Sequence, residues 1–179
     1  MSKKTMLFLS ILVASLVLDQ ATKIWVVHNI AYRTGEIVII PDLFSLVHAQ
    51  NPGAAFSFMH NNAYKTPVFM GFTVLAVGMI TYLVRKLPQD ARFLTSVFAL
   101  IMSGAIGNAI DRVHKGTVTD FLRVYTDNPS LKPWLIEHLG MYEWPSFNVA
   151  DMALVIGVST YLLYSLLHDS DELDAPPEA

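Results

Sequence analysis

Four stretches of the chain, residues 6–27, 67–84, 93–110 and 149–167, each approach the roughly 20 apolar residues that cross a bilayer core. A segment this long and oily closes its backbone hydrogen bonds within itself, as an α-helix, because lipid offers its N–H and C=O groups no partner. The composition agrees: 53% of the 179 residues are hydrophobic and 15% charged, too oily for a soluble domain of this size. The expected fold is an all-α membrane protein with four transmembrane helices. The first stretch also has features of a secretory signal, with Lys3 and Lys4 ahead of an apolar run and small residues such as Ala14 and Ser15 after it. Apolar character resumes after Lys23 with Ile24 to Val27, however, which makes the segment longer than a signal's apolar core.

Placement of the basic residues sets the expected orientation. Lys3 and Lys4 flank the first span, and Arg85, Lys86 and Arg92 crowd the connection between spans two and three. By the positive-inside tendency these ends are cytoplasmic, and four spans return the C-terminus to the same side. Segments 28–66 and 111–148 then lie outside the cytoplasm. Residues 1–168 form one four-helix domain, and 169–179, acidic and containing proline, are expected to be a disordered cytoplasmic tail. The chain has no cysteine, which excludes disulfides, thiolate metal sites and a lipid anchor on a cysteine of its own.

Polar residues gather at the outer ends of three spans. Asp19 and Lys23 lie four apart on one face of span one, Asn108, Asp111 and Arg112 close span three, and Asn148 and Asp151 open span four. Each stripe has a plain structural reading: interfacial anchoring, an Asp19–Lys23 ion pair tying a helix end, and Arg112 neutralising the adjacent Asp111. Two acids escape that reading. Asp120 in "VTDF" and Asp151 in "NVADM" have no basic residue within two positions on either side. Gly104 and Gly107, one turn apart, permit close approach between helices and would press the Asn108 face against a neighbour. In the first outer segment, Glu36–Ile40 and Leu43–Ala49 suggest a strand pair around Pro41 and Asp42, Asn51–Phe56 a turn, and Ser57–Lys65 a short amphipathic lid.

The chemistry open to such a chain is narrow. It contains no Gly-x-Ser-x-Gly and no His-Glu-x-x-His pattern, so hydrolysis falls to a carboxylate pair. Two close aspartates share a proton, one acting as base on water while the other donates to the substrate carbonyl. Asp120 and Asp151 are the candidates, provided that the chain turns back after Gly116.

The blocks "LDQATK" (Leu18–Lys23), "NPGAAF" (Asn51–Phe56), "GAIGNAIDR" (Gly104–Arg112), "VTDF" (Val118–Phe121) and "FNVAD" (Phe147–Asp151) resemble, in order and spacing, the signatures of the bacterial lipoprotein signal peptidase family, signal peptidase II. The resemblance covers nearly the whole chain apart from the tail. It implies a membrane aspartic endopeptidase that removes the signal peptide of a diacylglyceryl prolipoprotein just before the lipidated cysteine, with no cofactor and no metal. It assigns catalysis to Asp120 and Asp151, substrate binding or orientation to Asn51, Gly53, Asn108, Arg112 and Asn148, and support to Asp19, Lys23 and Asp111. It further implies a small periplasmic β-cradle, a short periplasmic helix, inhibition by globomycin-type cyclic peptides, contact with membrane lipid, and a monomer in the bacterial inner membrane with its site near the periplasmic face. No nucleic-acid partner is expected. The stretch Tyr125–Pro145 is longer than usual for the family between the two aspartates. Against this stand a transporter or channel subunit, which would place ionisable groups near the midplane, and a helix-bundle scaffold, which leaves Asp120 and Asp151 idle.

Overall fold

The computed structural model describes residues 1–53 and 65–173. Helices α1 (Lys3–Asn29), α2 (Lys65–Lys86) and α3 (Arg92–Lys115), and the last helix, Val149–Leu173, each contain a segment long and apolar enough to cross a membrane. All four expected spans are present. The last of them runs on to Leu173, past residue 168, and 174–179 lie outside the described residues.

α3 is the central helix. About half of its apolar segment (56%) is buried within the protein, against 17% for the last helix and 6% for each of the other two. Its glycines explain why it can be surrounded. A Cβ at Gly104 would run into the backbone carbonyl of Ala150 and the side chain of Leu154, and one at Gly107 would lie 2.7 Å from Asp19 Oδ2 and 3.1 Å from the Ala150 side chain. These two positions therefore set how closely α1 and the last helix approach α3. Gly104→Ala is expected to wedge α3 away from the last helix, an overpacking penalty of about 1–3 kcal/mol. Thermal unfolding in detergent would register it as a lowered midpoint.

The two ends of the bundle differ in kind. At one, the buried Lys4 ammonium donates to the terminal carbonyls Val84 O (2.9 Å) and Leu87 O (2.6 Å), tying the start of α1 to the end of α2. This favourable pairing of a cation with a helix C-terminus gathers Lys3, Lys4, Arg85 and Lys86 at one membrane face. The polar clusters of α1, α3 and the last helix lie at the opposite face.

That opposite face carries a sheet. Strand β1 (Glu36–Ile40) pairs antiparallel with β2 (Phe44–Asn51), the strand pair expected around Pro41 and Asp42. A third strand, β3 (Val118–Val124), completes the sheet in the order β1-β2-β3. It was not legible in the sequence, because its pairing partner lies some seventy residues away along the chain. Gly116, at φ 74°, ends α3 in the left-handed conformation and turns the chain into β3. Val26 of α1 and Ile30, just past its end, pack with Phe121 in a buried cluster that seats β3 on the bundle.

A short helix, α4 (Leu131–Leu139), occupies the long segment between the two candidate aspartates, and the helix from Val149 is accordingly α5. Neither composition nor motif announced α4. The lid expected over Ser57–Lys65 lies outside the described residues except for Lys65, which begins α2.

Candidate active site

Asp120 stands in β3, opposite Ala49 of β2, and Asp151 lies in the first turn of α5. A single residue links them. Asn148, fully buried, donates from Nδ2 to Asp120 Oδ1 at 2.7 Å and from its backbone N–H to Asp151 Oδ2 at 3.1 Å. The Asp151 N–H returns a bond to Asn148 Oδ1 at 3.0 Å, so the three-residue spacing of "NVAD" serves as a reciprocal helix N-terminal cap. Capping both starts α5 and orients the Asp151 carboxylate.

Two further amides complete the ring. Asn108 Nδ2 donates to Asp151 Oδ1 at 2.7 Å, while its Oδ1 accepts from Asn148 Nδ2 and Lys23 Nζ, both at 3.2 Å. Since an ammonium only donates, Lys23 fixes which end of the Asn108 amide faces Asp151. Asn51 Nδ2 donates to Asp120 Oδ2 at 2.9 Å, and the Gly53 N–H holds Asn51 Oδ1 at 2.8 Å. Gly53 has φ 92°, and a Cβ there would meet the Phe69 ring at 2.8 Å, so glycine is what allows this turn to aim Asn51.

Beneath the ring lies a buried ion triad. Lys23 Nζ is 2.9 Å from Asp19 Oδ2 and 3.3 Å from Asp111 Oδ2, all three side chains being 1–2% exposed. The remaining bonds of the two acids have a common pattern. Asp111 Oδ2 accepts from Thr119 N–H, and Asp19 Oδ1 accepts from Ala150 N–H, each at 2.9 Å. Thr119 and Ala150 immediately precede Asp120 and Asp151. The triad thus grips the backbone one residue before each candidate acid and links the two grips through one cation.

This arrangement corrects one sequence expectation. Arg112 does not neutralise Asp111, which pairs instead with Lys23 and, at 3.4 Å, with Lys115. Adjacent helical residues point about 100° apart, so Arg112 faces another way. Its guanidinium lies 4.3 Å from the centre of the Phe69 ring, reaches its own helix at Asn108 O (3.5 Å), and makes no ion pair among the described residues. The predicted Asp19–Lys23 pair is present, and every other predicted site residue belongs to the assembly just described. Sequence reading missed the backbone contributions of Thr119 and Ala150, and also Gln20, whose Nε2 donates to Asp19 Oδ2 at 2.9 Å. Gln20 carried a signal, lying inside the first quoted block.

Burial raises the Asp120 carboxyl, 2% exposed, to about 6; the Asn51 hydrogen bond opposes that, the Asp151 charge adds to it, and the Asn148 bond and Lys23 charge pull it back. Two carboxyls joined through amides, one titrating near neutrality, can hold a single proton and act as an acid–base pair. Among the described residues, no group of three or more His, Asp or Glu side chains has the arrangement of a metal site.

Comparison with known proteins gives a consistent result. The profile of the family described as signal peptidase (SPase) II matches residues 11–167. The chain is 42% identical over 157 residues to the lipoprotein signal peptidase of Geobacter metallireducens, covering 88% of each sequence. It is 35% identical over 146 residues to that of Vibrio parahaemolyticus, covering 81% of this chain and 79% of the relative. A solved bacterial membrane enzyme superimposes with a TM-score of 0.73 at 28% identity, over 89% of this chain and 92% of the other.

Proposed function

The chain belongs to the signal peptidase II family, and from that premise we propose that it is an aspartic endopeptidase in which Asp120 and Asp151 together activate the water that cleaves a prolipoprotein. It is a multi-pass membrane protein that removes the signal peptide of prolipoproteins. The observation that carries the catalytic assignment is the sharing of Asn148: one buried residue donates to both carboxylates, which have no ion pair among the described residues.

In this reading the pair holds one proton. Asp120, raised by burial, retains it, and Asp151, held by Asn108 and the Asn148 N–H, is the base that takes a proton from water. As water attacks the scissile carbonyl, Asp120 donates to the developing oxyanion; when the resulting gem-diol collapses, Asp151 gives the proton it took from water to the leaving amine and Asp120 recovers its own from a gem-diol hydroxyl. Arg112, which reaches Asn108 O and makes no ion pair among the described residues, orients the substrate backbone. The substrate is a precursor lipidated on the cysteine that follows the scissile bond. Its acyl chains, held in the same leaflet as the carboxylates, supply orientation that a soluble protease builds from a cleft.

By the positive-inside tendency, the Lys4 and Arg85 end faces the cytoplasm of the inner membrane, and the sheet and aspartates face the periplasm. A non-enzymatic transporter is not favoured by the family match or by the collection of ionisable groups at one end of the bundle.

The direct experiment incubates purified protein with a diacylglyceryl precursor and follows the mobility shift on a gel, with and without globomycin. Cleavage before the lipidated cysteine, blocked by the cyclic peptide, is the expected result, and no cleavage of any lipidated precursor would sink the reading. The pH profile tests the proton assignment. If Asp120 carries the shared proton, kcat/KM falls as pH rises through its pKa, near 6 in the free enzyme. The Asn51 bond stabilises the ionised carboxylate, so Asn51→Ala raises that pKa and moves the descending limb to higher pH. An unmoved limb would assign the proton elsewhere.

A further inference from the structure

Helix α4 is nine residues long and none of its residues is buried. A helix this short is not stable in water on propensity alone and depends on packing of an apolar face. It has such a face: Leu131, Leu135 and Leu139, spaced by four, line a groove of about 270 Å³ together with Val124 and Trp144. Leu131, Trp134 and Leu139 remain 45%, 50% and 61% exposed. No described segment of the chain covers them.

Trp144 identifies what does. It lines the α4 groove, and it also lines a second groove, of about 340 Å³, with Met152, Val155 and Ile156 in the first two turns of α5. Val155 and Ile156 are 64% and 51% exposed on a membrane-spanning helix, so they face lipid. The apolar side of α4 is therefore continuous, through Trp144, with the lipid-facing surface of α5. The helix is also held there. Trp144 N–H donates to Val124 O (2.9 Å), Thr126 N–H donates to Tyr142 O (3.1 Å), and Arg123 pairs with Glu143 at 2.6 Å, fastening the segment that returns from α4 against β3.

We propose that α4 is an interfacial membrane helix that lies in the leaflet bordering the candidate aspartates, with Leu131, Leu135 and Leu139 in the acyl region and Trp134 and Trp144 at headgroup level. Such helices bury their apolar face about 5–10 Å into the headgroup boundary, and tryptophan is enriched at that depth. The occupant of the groove is bilayer lipid. The two grooves together extend the lipid-facing surface from Asp151 outward to α4. This inference rests on the membrane-spanning fold and not on the catalytic assignment.

The test uses the full-length protein in substrate-free phosphatidylethanolamine–phosphatidylglycerol vesicles, with Trp25→Phe and Trp144→Phe leaving Trp134 as the tryptophan reporter. Phospholipids spin-labelled near the top of the acyl chain should quench Trp134 roughly twofold more than those labelled near its end, the depth dependence of an interfacial site. Acrylamide in the aqueous phase should quench it weakly. The companion variant Trp25→Phe with Trp134→Phe should report the same shallow depth for Trp144. Strong acrylamide quenching with no response to spin-labelled lipid would overturn the proposal. So would lipid quenching that appears only when vesicles are diluted to one copy each, which would make the occupant a second copy, or protection that appears only after precursor is added, which would make it substrate. Because the readout is fluorescence, an inactive enzyme with quenched Trp134 leaves this inference standing while removing the catalytic one.

Discussion

Asp120→Asn and Asp151→Asn are each expected to reduce cleavage of a lipidated precursor below detection, while the protein still inserts and accumulates in the membrane. Either exchange removes a group that must accept or release a proton in every turnover, and positioned acid–base groups contribute roughly 10²–10⁴-fold apiece. The structural effect is smaller. Each carboxylate accepts two bonds, Asp120 from Asn148 and Asn51, Asp151 from Asn108 and the Asn148 N–H. The substituted amide can keep one of these and turns an NH₂ toward the other donor, a loss of about 1–3 kcal/mol. For Asp120 this is partly offset, because a neutral amide escapes the burial that opposes a charge there. Turnover measured on purified protein alongside its unfolding midpoint separates the two effects. Full turnover by either variant would remove that aspartate from the mechanism.

Lys23→Met is expected to be the most damaging substitution outside the pair. The ammonium is the shared cation of Asp19 and Asp111, and all three groups are almost completely buried. Removing it leaves two carboxylates facing each other in a low-dielectric interior, and breaking a buried ion pair from one side costs about 3–5 kcal/mol. The consequence for the site follows from where the two acids are bonded. Asp111 holds the N–H of Thr119, Asp19 holds the N–H of Ala150, and Lys23 also fixes the orientation of Asn108 against Asp151. Lys23→Met should therefore lower the unfolding midpoint and depress kcat in the molecules that remain folded, because both aspartates lose their backbone anchor. Lys23→Arg keeps the charge and should restore much of the stability, with less recovery of kcat, since a planar guanidinium cannot reproduce the contacts of a compact ammonium. Wild-type kcat in a folded Lys23→Met protein would show that the triad does not position the pair.

What could be read from the chain alone follows the range of the forces involved. The four spans were legible because lipid imposes its constraint locally: a run of about 20 apolar residues has to satisfy its backbone within itself, whatever the rest of the chain does. The gathering of polar stripes at one membrane face was legible for the same reason, since the alternation of spans fixes which helix ends coincide. The β1–β2 hairpin was readable from β-branched and apolar runs on either side of Pro41 and Asp42. The isolation of Asp120 and Asp151 from nearby cations was also visible in the sequence, and the structure gives neither of them an ion pair among the described residues.

The tertiary structure decided the partners. Asp111 has Arg112 as its chain neighbour, yet its counter-charge comes from Lys23, on a helix more than eighty residues earlier, because helical geometry turns adjacent side chains apart and brings a different helix face to face. β3 could not be inferred, since a strand is defined by the edge it joins, and "VTDFLRV" joins β2 only after Gly116 redirects the chain. α4 likewise was not announced by composition or motif, and none of its residues is buried against the rest of the described chain. The sequence by itself therefore determined how many times the chain crosses lipid and which residues could do chemistry there, because hydropathy and charge act over a few residues. Which acid is held by which donor depended on contacts between helices, and those exist only once glycine-lined surfaces have brought the backbones together.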